Sequence, residues 1–303
     1  MIDITLLGTA ALFPLPDRAL TAVFLSCGGR SILFDCGEGT QTAARKAHVS
    51  IMKTDLIALT HYHGDHVFGL PGLLQTMHSL GRERPLYITG PAGLREALAP
   101  LLHLAGETCY EVHLADTCGS TLPLPCFPAG AALTSFPTEH RVLSQGYSFT
   151  LSRPGKFLPE RARALGAPPR LWGTLQKGER VSVDGSIISP EQVLGPPRRG
   201  LKVVFTGDTA ACDSLRDAAR GADLLISEAT FADNEQAEKA REYGHMTFAQ
   251  AACLAAGAGV RELWLAHYSQ TVKDPEAALP GARAYFENTV CGADGMTKTL
   301  RFS

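Results

Sequence analysis

Residues 60–66 read THYHGDH, placing His61, His63, Asp65 and His66 within six positions of a chain that has only ten histidines in 303 residues. The group follows the apolar run LIAL, so it hangs on the loop beyond a buried strand, where a rigid sheet presents functional groups. His61 and His63 can turn toward one point, and Asp65 and His66 toward a second point nearby. Imidazole with carboxylate suits zinc, and also manganese or iron; without a neighbouring cysteine, the pattern is not that of a structural zinc finger.

One loop cannot complete such a site. His140 in SFPTEHRV, Asp208 in VVFTGDT and His267 in LWLAHYS each follow an apolar run, where a strand should emerge. Each alone reads better as an ordinary polar residue at a strand end. With the first loop they make seven candidate ligands, enough for two metals sharing one carboxylate. Two close metals clamp a phosphoryl group and supply hydroxide at neutral pH, which is machinery for hydrolysing a phosphodiester or another ester.

These groups need strands to hold them. ITLLG, AVFLSC and RSILFDC read as strands, with Gly28-Gly29 as a hairpin turn between the last two. TQTAARKAH reads as a helix, DLIALT as a strand, and GLPGLLQTMHSLG as a loop entering a helix; strand PLYITG and helix GLREALAPLLHLAG follow. The second half repeats the style with YSFTL, KVVFTGD, DLLISEA and ELWLAHY as strands. Thr247 and Gln250 have capping-box spacing at the start of the helix FAQAACLAAGAG. Strands interspersed with helices in both halves predict an α/β (α+β) arrangement of sheets covered by helices.

The charge is unevenly spread. Residues 153–202 hold ten Lys/Arg against four Asp/Glu, a balance of +6, while the rest of the chain has 18 against 26, a balance of −8. The Pro/Gly/Arg-rich stretch 153–200 has weak periodicity and reads as a basic protrusion, suited to a polyanion whatever the total charge. No run of eighteen apolar residues indicates a membrane span, and the N-terminus alternates as a strand rather than reading as a signal peptide. The eight cysteines form no CxxC pair and are expected to be buried free thiols.

HxHxDH followed by distant His, Asp and His resembles the metallo-β-lactamase superfamily. Within it the chain resembles the ribonuclease Z family, through LLGTAALFPLPDRA, LFDCGEGTQ, THYHGDHVFGLPGLL, GPAGL, FTGDT, SEATF and HMTFAQAA, in the family's order over nearly all 303 residues. The resemblance implies a single four-layer αββα domain over 1–303 and a metal-dependent endonuclease that removes the 3′ trailer from tRNA precursors. It implies one zinc on His61, His63, His140 and Asp208, and a second on Asp65, His66, His267 and the shared Asp208, with manganese or iron as alternatives. Asp65 would also act as general base. His245 would donate a proton to the departing 3′ oxygen, with Glu228 orienting it.

The basic stretch 153–200 resembles the family's flexible tRNA-gripping arm, offering Lys156, Arg161, Arg163, Arg170, Lys177 and Arg180 to phosphates. The family resemblance also implies a homodimer, and the absence of a targeting segment leads to the expectation of a cytoplasmic protein. The chain departs from the family in having Ala19 where the early loop usually has Asn, and Gln270-Thr271-Val272 after His267 where an arginine is usual. Two other readings stay open: a phosphodiesterase for a small or cyclic nucleotide, and a tRNA-binding protein without catalysis.

Overall fold

Strands whose successive residues are apolar must be covered on both faces, and that requirement sets the layering here. The computed structural model describes residues 1–302. In chain order the strands are β1 (Ile2–Gly8), β2 (Ala22–Cys27), β3 (Arg30–Phe34), β4 (Thr54–Ala58), β5 (Leu86–Gly90) and β6 (Val112–Asp116). There follow β7 (Thr121–Leu122), β8 (Ala131–Pro137), β9 (Gln145–Arg153), β10 (Val181–Val183) and β11 (Ser186–Ile188). The last five are β12 (Arg198–Phe205), β13 (Leu224–Glu228), β14 (Leu263–Ala266), β15 (Thr289–Cys291) and β16 (Thr297–Leu300).

Two seven-stranded sheets result, ordered β16-β1-β2-β3-β4-β5-β6 and β15-β14-β13-β12-β9-β8-β7. Each has an antiparallel half and a parallel half: pairing turns parallel from β3–β4 onward in the first sheet and from β12–β13 onward in the second. Side chains alternate between two cores, as the two-residue period of a strand demands. Ile4, Leu6 and Phe34 of the first sheet meet Tyr147, Phe149, Val203, Phe205 and Trp264 of the second in the central layer. Leu7, Leu33 and Ile57 point outward onto the helix Leu70–Ser79. Val204, Leu225 and Leu265 do the same beneath the helix Phe248–Ala258. The expected αββα sandwich is therefore the fold. Trp264 is 1% exposed at its centre, and truncation to Ala would cost about 3–5 kcal/mol.

The helices Thr40–Lys46, Leu70–Ser79, Leu94–Ala105 and Phe248–Ala258 fall where the sequence signals put them. Thr247 caps Phe248–Ala258, its hydroxyl accepting from Gln250 N–H while the Gln250 side chain accepts from Thr247 N–H. The motif loop is shorter than expected: helix begins at Gly64, inside THYHGDH, and after a break resumes over Leu70–Ser79. The cysteine expectation holds in part. All eight are free, but only Cys27, Cys36, Cys212 and Cys291 are buried, while Cys109, Cys118, Cys126 and Cys253 are exposed.

The stretch between β9 and β12 has its own small core. Ala162, Ala167, Leu175, Val181, Ile188 and Val193 bury one another, walled by Phe157, Leu171 and Trp172. Trp172 donates to Ala167 O at 2.9 Å and packs on Phe157, so it anchors the segment internally. Gly155 and Gly195 bring the two ends of the segment together: a Cβ on Gly155 would sit 1.9 Å from Gly195 O.

Candidate active site

The C-terminal ends of β4, β8, β12, β13 and β14 meet along one edge of the sandwich. Beyond them lie His61, His140, Asp208, Glu228 and His267, and the short helix Gly64–Val67 adds Asp65 and His66. Donor atoms of His61, His63, His140 and Asp208 lie within 4.8 Å of one another, and so do those of Asp65, His66 and His267. Asp208 serves both groups with different oxygens. Its Oδ2 is 3.7 Å from His61 Nε2 and 4.0 Å from His140 Nε2. Its Oδ1 is 3.3 Å from His66 Nε2 and 3.2 Å from His267 Nε2.

Hydrogen bonds behind the rings fix which nitrogen faces inward. Gly244 O can only accept, so His140 Nδ1 must donate to it, at 2.9 Å. His66 Nδ1 donates to Asp35 Oδ2 at 2.7 Å. Thr60 gives its one hydroxyl proton to Asp35, so it accepts from His61 Nδ1 at 3.0 Å. Thr230 likewise gives its proton to Glu228 and accepts from His267 Nδ1 at 3.0 Å. Four imidazoles thus turn Nε2 toward Asp208, where a neutral ring offers a lone pair, while His63 presents Nδ1, 3.0 Å from His61 Nε2. Orienting partners of this kind accompany metal-ligating histidines generally. Asp35, Thr60 and Thr230 were missed by the sequence reading; the only signal was Asp35 at the end of the strand RSILFDC. Its φ of 55° is a left-handed conformation that an aspartate tolerates better than most residues.

The donor set fits a divalent cation. Among the described residues Asp208 Oδ1 is buried without a hydrogen-bond partner, and the Nε2 atoms of His66 and His267 converge on it. Burial lowers the His61 pKa well below the usual histidine value, with His66 adding to the effect. Burial pulls His66 the same way, but Asp208 and Asp35 more than offset it and raise it well above that value. Buried carboxylates here therefore call for positive charge, which a bound divalent metal would provide. The converging donor atoms are nitrogen and oxygen, which zinc, manganese or iron would accept.

His245 and Glu228 stand beside this cluster. Glu228 is 3% exposed and accepts from Thr209 N–H, Thr230 N–H and the Thr230 hydroxyl. Its Oε1 lies 2.8 Å from His245 Nδ1. A nitrogen of His245 is within 4.8 Å of donor atoms of Asp208 and His267. Burial lowers the His245 pKa, yet the Glu228 carboxylate more than offsets this and lifts it to about 9. Asp65 faces the other side, where its Oδ2 accepts from Leu12 N–H at 2.9 Å. His63, Asp65, His140, Asp208, His245 and His267 line a cleft of about 840 Å³.

The structure brings together all the expected metal ligands and the His245–Glu228 pair. Lys156, Arg161, Arg163, Arg170, Lys177 and Arg180 are exposed on the inserted segment, and none lines the cleft.

Similarity searches match this architecture. Residues 192–268 match the family model of the β-lactamase superfamily domain, and residues 2–106 that of the anti-Pycsar protein Apyc1. Ribonuclease Z of Agathobacter rectalis is 41% identical over 302 residues, covering 100% of this chain and 99% of the relative. The chain belongs to the ribonuclease Z family. Ribonuclease Z of Methanosarcina acetivorans is also 41% identical, over 98% of this chain and 97% of its own. The crystal structure of human tRNase Z, short form, superposes with a TM-score of 0.68 at 28% identity, covering 99% of this chain and 100% of that one. As a member of this family the chain is a metal-dependent hydrolase. Among the described residues, no helix is long and apolar enough to cross a membrane.

Proposed function

We propose that this chain cuts tRNA precursors at the 3′ end of the tRNA body, releasing the trailer. The observation that carries the reading is the divided Asp208 carboxylate, one oxygen toward each histidine group, with His245–Glu228 alongside. Full-length similarity to ribonuclease Z relatives supplies the substrate class.

His61, His63, His140 and Asp208 would hold one metal; Asp65, His66, His267 and Asp208 would hold a second. Zinc suits both groups, with manganese or iron as alternatives. Bound there, a divalent metal would supply Lewis acidity toward a phosphoryl oxygen and a water. Asp65 takes a proton from the attacking water as its oxygen bonds to phosphorus. His245, protonated and steadied by Glu228, gives its proton to the departing O3′ as the P–O3′ bond breaks. The products are a 3′-hydroxyl on the tRNA and a 5′-phosphate on the trailer.

Lys156, Arg161, Arg163, Arg170, Lys177 and Arg180 serve as phosphate contacts of the arm 153–200. They are exposed and, among the described residues, have no carboxylate partner within 4 Å. A cytoplasmic homodimer accompanies this reading, to be checked by sedimentation and fractionation.

The test is incubation with trailer-bearing tRNA precursor and, in parallel, a small aryl phosphodiester. Cleavage at the trailer junction at far higher kcat/KM than the small diester supports the reading. Preference for the small diester would instead favour a phosphodiesterase for small or cyclic nucleotides.

A further inference from the structure

The two walls of the cleft differ in chemistry. One carries Leu12, Phe13 and Phe68, which are 60%, 54% and 61% exposed. The other carries Arg141 and Lys239, the only Lys/Arg side chains among the described residues that line the cleft. Arg141 follows the candidate ligand His140, and Lys239 sits on the helix Ala237–Glu242, ahead of His245.

Each cation lies over an aromatic ring instead of a carboxylate. The Arg141 guanidinium is 5.4 Å from the Tyr243 ring centroid, and Lys239 Nζ is 5.6 Å from that of Phe231. Among the described residues neither has an Asp or Glu oxygen within 4 Å, whereas Arg30, Arg199 and Lys298 each pair with a carboxylate. A cation–aromatic contact holds the side chain in place without neutralising it. Full positive charge is thus kept facing a cleft whose floor acts on a phosphodiester. Arg18 is different: it donates to Val272 O and Lys273 O at 2.8 and 2.7 Å and is used up bracing the loop after His267.

We propose that Arg141 and Lys239 grip the phosphates flanking the scissile one. The RNA strand then runs with its backbone on the Arg141–Lys239 wall and its bases toward Leu12, Phe13 and Phe68. This rests on the proposed endonuclease activity. It also supplies phosphate contacts in a chain with no arginine in the segment just after His267. Unpaired bases splayed onto apolar side chains, with the backbone on cations, are the general mode for single-stranded RNA.

The experiment compares the wild type with Arg141→Gln, Lys239→Gln, the double variant, Arg141→Lys and Lys239→Arg on the trailer-bearing precursor, as KM, kcat and salt dependence. Both positions are exposed, and thermal melting with metal analysis verifies that each variant is folded and loaded. Each neutral variant is expected to raise KM by about 5–10-fold, with a much smaller change in kcat. The slope of log KM against log salt should fall by about 0.7 for each lost contact with single-stranded phosphate. Arg141→Lys and Lys239→Arg should keep the wild-type slope. Unchanged KM and slope in the double variant, with wild type active, would overturn the proposal. Equal losses in the charge-keeping variants would also overturn it, because shape rather than charge would then matter. Failure of the wild type itself to cut the precursor would count against the endonuclease reading instead.

Discussion

Glu228 reaches two histidines of the site at once: Oε1 contacts His245 Nδ1 at 2.8 Å, and Oε2 accepts from Thr230, which receives His267 Nδ1. One buried carboxylate thus sets the charge of the proposed proton donor and the orientation of a proposed metal ligand.

The first prediction concerns pH. His245 must be protonated to donate, and its pKa stands at about 9 against an ordinary 6.5. The alkaline limb of kcat should therefore lie near pH 9 and move to lower pH in Glu228→Gln, where the raising charge is gone. A raised folded-state pKa contributes stability in full below about pH 6.5 and loses it as pH rises through about 9. Thermal melts of Glu228→Gln should accordingly differ most from wild type on the acid side of that window. His245→Ala should lower kcat about 10²–10⁴-fold, as removal of a general acid does. An alkaline limb that stays put in Glu228→Gln would show that another group titrates.

A second prediction separates ligands from their supports. Asp35→Asn keeps every proposed ligand but weakens the acceptor behind His66 and Thr60. Zinc affinity, measured by competition with a chelator, should fall about 10–100-fold. Asp208→Ala should instead abolish stoichiometric binding at both groups.

Third, backbone crowding near the site should be measurable. Gly207 and Gly221 have nearly the same φ, 60° and 64°. A Cβ on Gly207 would lie 2.6 Å from Thr60 Cβ, whereas one on Gly221 meets nothing within 4 Å. Gly221→Ala should cost about 1 kcal/mol from backbone strain alone, and Gly207→Ala about 1–3 kcal/mol more by denaturant unfolding.

Fourth, the inserted segment should be removable. It buries its own core, and its ends meet where Gly195 N–H donates to Lys156 O at 2.8 Å. A chain joining Gly155 directly to Gly195 should melt cooperatively with its metal content intact. Its KM for precursor tRNA should rise at least about tenfold and lose much of its salt dependence. Cleavage with wild-type KM would remove the arm from the account.

Much of this site was legible because metal chemistry restricts residue types and strand ends restrict places. His61, His63, Asp65 and His66 announced themselves by spacing, and His140, Asp208 and His267 by their position after apolar runs. His245 and Glu228 were named only through family resemblance, since a histidine ahead of a capped helix carries no spacing signal. Asp35, Thr60 and Thr230 stayed hidden because a residue that orients a ligand needs only one hydrogen bond, and many polar residues at strand ends offer one. Short edge elements such as β7 and β16 were also missed, as two to four residues are too few to show a period. The small core of residues 157–193 escaped for a related reason: its apolar residues are spread among prolines and glycines, and they cluster only after the segment folds back on itself.

The most direct measurement is trailer cleavage and metal content on one preparation, before and after chelation. The expected result is about two zinc ions per chain, cleavage to a 3′-hydroxyl tRNA, loss of both on chelation and recovery of both on adding zinc. Metal-loaded protein that binds the precursor and never cuts it would contradict the account.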